Sequence, residues 1–171
     1  MNKIFHYSLG LLSLTGAIAL MASPPAQAQV NYFERYQRPI SFRTCTTRDC
    51  WLESARLCEP VIYNATMSIE IATATAQHEL WGATAAGKCI YFQEVESLQA
   101  FGQDAPMGRG LQFICVYESG DDLVLEWEVF FGKRSGSLGA TATMQDPVTK
   151  ISPSSKTIND RHIASCQSIM P

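Results

Sequence analysis

Cys45-Thr46-Thr47-Arg48-Asp49-Cys50-Trp51-Leu52-Glu53-Ser54-Ala55-Arg56-Leu57-Cys58-Glu59-Pro60 carries three of the chain's six cysteines. The others, Cys89, Cys115 and Cys166, are spread over the sequence downstream. Thr46, Thr47 and Asp49 can each cap a helix start, because their side-chain oxygens accept from backbone N–H groups that lack a helical partner. Pro60 ends the stretch, since the residue before a proline is pushed out of the α region. At about 100° per residue, Trp51, Leu52, Ala55 and Cys58 share one broad face, with Glu53 and Arg56 opposite. The segment predicts a short amphipathic helix with Cys50 at the edge of its buried side. Cys50 and Cys58 would stand about 12 Å apart along that helix at roughly 1.5 Å per residue. A disulfide spans Cα separations below about 7 Å, so each must bond elsewhere.

Upstream, residues 1–28 read as a signal peptide. Lys3 gives the positive start, Leu9 to Ala22 the apolar core, and Ala26-Gln27-Ala28 a small-x-small cleavage site. The apolar run is shorter than the ~20 residues of a comfortable transmembrane helix, and no cysteine follows the cleavage site to take a lipid. Cleavage near Ala28 would make the product secreted or periplasmic. All six cysteines lie beyond that point, an even number in an exported chain, which predicts a disulfide framework. The working scheme joins Cys58 to Cys89, Cys50 to Cys115 and Cys45 to Cys166. A long-loop bridge such as the last contributes on the order of 4 kcal/mol on the chain-entropy model.

The remaining length suits one domain, residues 45–171, with a core of its own. The formal net charge of −3 carries no nucleic-acid footprint and no attraction to an anionic membrane surface. Residues 29–44 form an N-terminal arm bearing Tyr32, Phe33, Tyr36 and Phe42 among Arg35, Arg38 and Arg43. Two readings stand: the rings pack onto the domain, or Tyr32, Phe33 and Tyr36 present a surface to a protein partner.

After Pro60 the period changes to two. Val61, Tyr63, Ala65, Met67, Ile69 and Ile71 alternate with Ile62, Asn64, Thr66, Ser68 and Glu70, as in a strand with one mostly polar face. Ala72 to Ala76 is expected to be a bend into a second strand around His78 to Thr84. Gly87-Lys88 turns the chain into a third, Cys89 to Glu96. Gly102 to Gly110 is expected to be a loop and Leu111 to Glu118 a fourth strand. Ser119-Gly120-Asp121-Asp122 reads as a hairpin turn. A fifth strand follows over Leu123 to Phe131, with Leu123, Leu125, Trp127, Val129 and Phe131 facing one way. From about residue 132 the composition shifts to Ser, Thr, Gly and Lys and predicts an irregular tail pinned by Cys166. There Thr157 to Asp160 suggests a helix start, with an edge strand over Arg161 to Ile169 as the alternative. The fold class is α+β: a short N-terminal helix packed on a four- to five-stranded antiparallel sheet, stapled by disulfides.

Few residues suggest chemistry. The sequence lacks C-x-x-C and the paired spacing of a zinc site, so the thiols are expected to be structural and no metal or cofactor is expected. Beyond the leader the histidines are His78 and His162, too few for a three-histidine metal site and read as ordinary surface or half-buried side chains. A Ser–His or Cys–His nucleophile would need one of them beside its partner, and no G-x-S-x-G elbow occurs. Glu126 and Glu128 on one strand face would lie about 7 Å apart, within the range of glycoside hydrolysis. Glu94 and Glu96 repeat that spacing, which suits a solvated sheet face, and no catalytic residue is assigned. Gly108-Arg109-Gly110 and Gly132-Lys133-Arg134 set cations beside glycine but lack the strand–loop–helix context of a phosphate cradle. Asn64-Ala65-Thr66 fits the glycosylation acceptor pattern.

Asp49-Cys50, Cys58-Glu59-Pro60, Cys89 and Cys115 together resemble a pattern of small exported bacterial and archaeal domains without an assigned function. The likeness covers roughly Cys45 to Tyr117, with Thr46 where that pattern carries glycine. It implies a helix-on-sheet disulfide domain and brings no activity with it. The expected function is that of a non-catalytic exported domain with a binding or envelope-structural role. The rivals are a small hydrolase using Glu126 and an interaction module presenting the arm or the Gly102–Gly110 loop.

Overall fold

The computed structural model describes residues 30–69 and 72–170. The expected signal peptide and its cleavage site lie outside the described residues. In chain order the elements are α1 (Tyr32–Arg35), β1 (Arg43–Cys45), α2 (Arg48–Leu57), β2 (Val61–Ile69), β3 (Ala72–Ala83), β4 (Cys89–Ala100), β5 (Gln103–Asp104), β6 (Gln112–Tyr117), α3 (Gly120–Phe130), β7 (Leu138–Ala142), β8 (Ile151–Ile158) and β9 (Arg161–Ile169). The strands form one sheet in the order β1-β2-β3-β4-β6-β9-β8-β7, with β5 pairing the far end of β4. All neighbours are antiparallel except β1 and β2.

The helix read from the cysteine-rich stretch is present as α2. Thr47 is its cap, accepting from the Cys50 N–H at 3.2 Å. Its end is sharper than Pro60 alone requires: Cys58 sits in the left-handed region at φ 52°, where the Cys58 and Glu59 N–H groups return to the carbonyls of Ala55 and Ser54. That conformation costs an ordinary side chain about 1 kcal/mol, and the Cys58–Cys89 bond anchors it. The three bonds are Cys45–Cys50, Cys58–Cys89 and Cys115–Cys166. One expected pair is therefore correct and two are not. Cys45 and Cys50 close on each other, with Cα atoms 5.6 Å apart, because the chain turns at Thr46-Thr47 just before the cap. Cys115 and Cys166 are direct partners across β6 and β9, a pairing that follows only once the strand over Arg161 to Ile169 lies beside β6 and not at the sheet's edge.

The expected architecture is too small. Its helix is preceded by α1 and β1, and the sheet has nine strands. Three differences account for this. The expected bend at Ala72 to Ala76 is continuous strand in β3. The expected irregular tail supplies β7, β8 and β9, and β9 lies inside the sheet between β6 and β8. Leu123 to Phe131, the expected fifth strand, belongs to α3. Ser119 is a helix cap, not a turn residue: its Oγ accepts from the Asp122 N–H at 3.2 Å and donates to the Asp122 carboxylate at 2.7 Å. Leu123, Val124 and Trp127 then face the core together, which is helical spacing.

The sheet buries both faces. Under α2 and α3 lies the main core, built on Trp51, Leu80, Tyr91, Cys115, Tyr117, Leu123, Trp127 and Ile163. On the opposite face Ile90, Phe92 and Ile114 are covered by Tyr32, Phe33, Tyr36 and Trp81. The arm's aromatics thus pack onto the domain.

Candidate functional site

Two places concentrate polar groups. The first lies between α3 and the sheet. His78 of β3 is 1% exposed, and its Nδ1 shares a hydrogen bond with the Tyr91 hydroxyl at 2.7 Å. Tyr91 also donates to Gln93 at 3.0 Å. Next to it the Tyr117 hydroxyl donates to Glu126 at 2.6 Å. Lys156 of β8 donates to the other Glu126 oxygen at 2.6 Å and to Tyr117 at 3.0 Å. The ammonium also stands 5.6 Å and 5.5 Å from the ring centres of Tyr91 and Tyr117, within cation–π range.

The electrostatics follow from burial. Desolvation holds the His78 imidazole neutral, lowering its pKa from 6.5 to about 3, and the nearby Lys156 charge pushes the same way. Both tyrosines are raised well above their ordinary value, by burial first and by the Glu126 charge second. His78 Nε2 and Trp51 Nε1 are buried without a hydrogen-bond partner among the described residues.

Glu126 does not stand beside Glu128 as a carboxylate pair. Two residues apart on a helix, they point in different directions: Glu126 turns inward to Tyr117 and Lys156, while Glu128 turns out to Arg134 at 3.6 Å. Glu94 and Glu96 are also separated, because the register shift between Thr75 and Ala76 leaves Glu96 as an extra residue of β4. His162, expected to be an ordinary surface or half-buried side chain, is exposed, with its Nε2 3.3 Å from Ser165 Oγ. The cause is the bulge at Ile163, which brings residues 162 and 165 to the same side of β9. Among the described residues no carboxylate bonds that imidazole, and the contact is exposed. Asn64 is exposed on β2. No group of three or more His, Cys, Asp or Glu side chains placed to hold a metal occurs among the described residues, and none of their helices is long and apolar enough to cross a membrane.

The second place is a cleft of about 410 Å³ on the opposite face. Tyr32, Arg35 and Tyr36 form its arm side; the turn at Thr84 to Ala86 and the Lys88–Glu118 ion pair form the other, over a floor of Val116 and Ser165. Tyr32 and Tyr36 meet edge to face at 5.6 Å. The Arg35 guanidinium stands 5.6 Å from the Tyr36 ring and has no carboxylate partner among the described residues.

The arm is held in register by polar contacts. Gln167 accepts from the Tyr32 N–H at 2.7 Å and donates to the Val30 carbonyl at 2.6 Å. Arg38 makes a two-pronged contact to Glu79 at 2.7 Å and 2.6 Å. Glu79 is 2% exposed, and Gln77 and Trp81 complete its shell at 2.7 Å and 2.8 Å. A buried carboxylate is stable only when its oxygens are satisfied in this way. Sequence reasoning found the arm and its aromatics but not Glu79, whose position in β3 fell within an expected bend-and-strand region. Arg38 beyond an aromatic cluster was the one available hint.

Comparison with known families, curated proteins and solved structures finds no match for the chain.

Proposed function

We propose that the protein is an exported, non-catalytic binding domain whose site is the cleft between the N-terminal arm and the sheet. The observation that carries the reading is the cleft itself: its volume of about 410 Å³ falls in the range of ligand pockets, and it combines apolar walls with a few polar groups. Two tyrosine faces offer stacking surface and Arg35 offers an unpaired cation, so the matching group is an apolar or aromatic carboxylate. Such a group is found on a small acid or at a residue of a protein partner that meets Tyr32 and Tyr36. Phe33 supports the site from beneath by packing on Ile90, Phe92 and Ile114.

Export is supported by three disulfides that use all six cysteines, an outcome natural to an oxidising compartment. Binding is favoured over hydrolysis because both oxygens of Glu126 are already engaged by Tyr117 and Lys156. A screen of aromatic carboxylate fragments against the labelled chain, read by amide chemical shifts, tests the proposal. Shifts clustered on residues 32–36, 84–88 and 116–118 support it. Fragments that bind only elsewhere, or none that bind, would set it aside.

A further inference from the structure

The outer edge of β2 is covered for part of its length. β1 pairs with it in parallel over Arg43↔Val61, Thr44↔Ile62 and Cys45↔Tyr63. There the chain leaves, folded back into the first turn of α2 by the Cys45–Cys50 bond. The Arg43 N–H donates to the Pro60 carbonyl, which fixes the parity of the strand. Even-numbered residues of β2 aim their backbone groups outward, and odd-numbered ones aim theirs at β3. The β2–β3 register runs without a shift from Val61 to Ile69. The pairing of Cys45 with Tyr63 turns the Asn64 N–H to Cys45, so the Asn64 C=O and the N–H and C=O groups of Thr66 and Ser68 face away from the sheet with no strand beside them among the described residues.

Natural sheets blunt such edges with lysine, proline, a bulge or a covering segment. Residues 64–69 contain neither lysine nor proline, and no bulge interrupts their pairing. A groove of about 280 Å³ runs along the open part of the edge instead. Tyr63, Phe130 and Phe131 give it an aromatic wall, and Arg48, from the first turn of α2, stands at its side. The Arg48 guanidinium lies 4.6 Å from the Phe131 ring and has no acidic partner among the described residues. The opposite edge of the sheet, β7, carries only Leu, Gly, Ala and Thr.

We propose that the β2 edge at Asn64, Thr66 and Ser68 accepts an extended acidic segment of a partner protein as an added strand, in the line that β1 vacates at Cys45. Main-chain hydrogen bonds supply affinity in this mode and side-chain pockets supply selectivity. Here the aromatic wall receives an apolar guest residue and Arg48 pairs with a guest carboxylate. This surface is separate from the arm cleft, so either reading can fail without the other.

The test uses the full oxidised chain and a random-peptide display library, followed by fluorescence anisotropy with one selected, labelled peptide. Selected peptides are expected to alternate, to carry an acidic residue, and to slow amide exchange at residues 66 and 68, which exchange fast in the free chain. Thr66→Pro removes an outward donor and is expected to weaken binding by about tenfold. Arg48→Glu, on a different element, is expected to weaken acidic peptides about tenfold and to turn the preference toward basic ones. The proposal is overturned if the amides of 66 and 68 are already protected in the dilute free chain, if selected peptides perturb residues elsewhere, or if no peptide is selected. It is equally overturned if sedimentation shows the edge occupied by a second copy in a dimer that Thr66→Pro abolishes.

Discussion

His78 shows how a single buried side chain sets a property of the whole protein. Its pKa is about 3 in the folded chain against an ordinary 6.5. Above roughly pH 6.5 the imidazole is neutral in both states and contributes nothing to the pH dependence. Below that, the unfolded chain takes up a proton that the folded chain refuses, so stability falls by up to about 1.4 kcal/mol per pH unit until about pH 3. His78→Gln keeps a polar group for Tyr91 but does not titrate. It is expected to be about 2 kcal/mol less stable than the natural chain at pH 7.5, for lost packing, and to approach or overtake it by pH 4.5. Urea unfolding at the two pH values measures this; curves that stay parallel would contradict it. The residue scale was only partly legible. That His78 lay in a strand was readable from alternation, but its burial against Trp127, at 4.8 Å between ring centres, depends on a helix that the alternation concealed.

At the scale of elements, α3 carries the lesson. Leu123, Leu125, Trp127, Val129 and Phe131 alternate as a strand does, yet the same run offers Leu123, Val124 and Trp127 to one helical face. Period alone does not arbitrate when nearly every residue is apolar. The N-cap Ser119 was the deciding local signal, because its hydroxyl satisfies the Asp122 N–H at the open start of a helix. Ser119→Ala is expected to lower stability by about 1 kcal/mol in thermal or urea unfolding; an unchanged midpoint would contradict the capping role. Gly120 adds a steric requirement: a Cβ there would overlap the Arg56 carbonyl and approach the Ala55 oxygen at 2.6 Å, so α3 begins against the end of α2. By contrast α2 was legible as an element: Thr47 was one of three cap candidates and Trp51, Leu52 and Ala55 form its buried stripe, while Cys58 ends the helix in the left-handed region and does not continue it. Of the last three strands only Arg161 to Ile169 was legible, as the alternative reading, although it lies inside the sheet and not at its edge; a Ser/Thr/Lys-rich β8 half exposed along most of its length has no hydrophobic pattern to announce it.

For the molecule as a whole, the sheet is closed in by unlike covers. Two helices cap one face by apolar packing, while a short arm caps the other through Arg38, Glu79 and Gln167. Arg38→Met would leave the Glu79 carboxylate buried beside Gln77 and Trp81 without its cation. Arg38 is 53% exposed, so the expected loss is moderate, about 2 kcal/mol, and pairing it with Glu79→Gln should recover most of it. Melting temperatures of the single and double variants check this, and a single variant as stable as the natural chain would show that the arm's latch is idle. The arm's place in the site was legible only as an alternative between packing and presentation. In the structure Tyr32, Phe33 and Tyr36 all pack on the sheet and remain only partly buried, and presentation by Tyr32, Arg35 and Tyr36 is what the proposed function adds.

The central claim is that this chain binds through the arm cleft rather than catalyses through its buried carboxylate. The most direct measurement is the affinity of one fragment from the carboxylate screen for three chains: natural, Arg35→Gln and Glu126→Gln. A binding domain predicts about a tenfold loss in Arg35→Gln, the size of one charge-assisted contact, and an unchanged affinity in Glu126→Gln once folding is verified. Equal affinity in Arg35→Gln, with binding lost in a folded Glu126→Gln, would contradict the account.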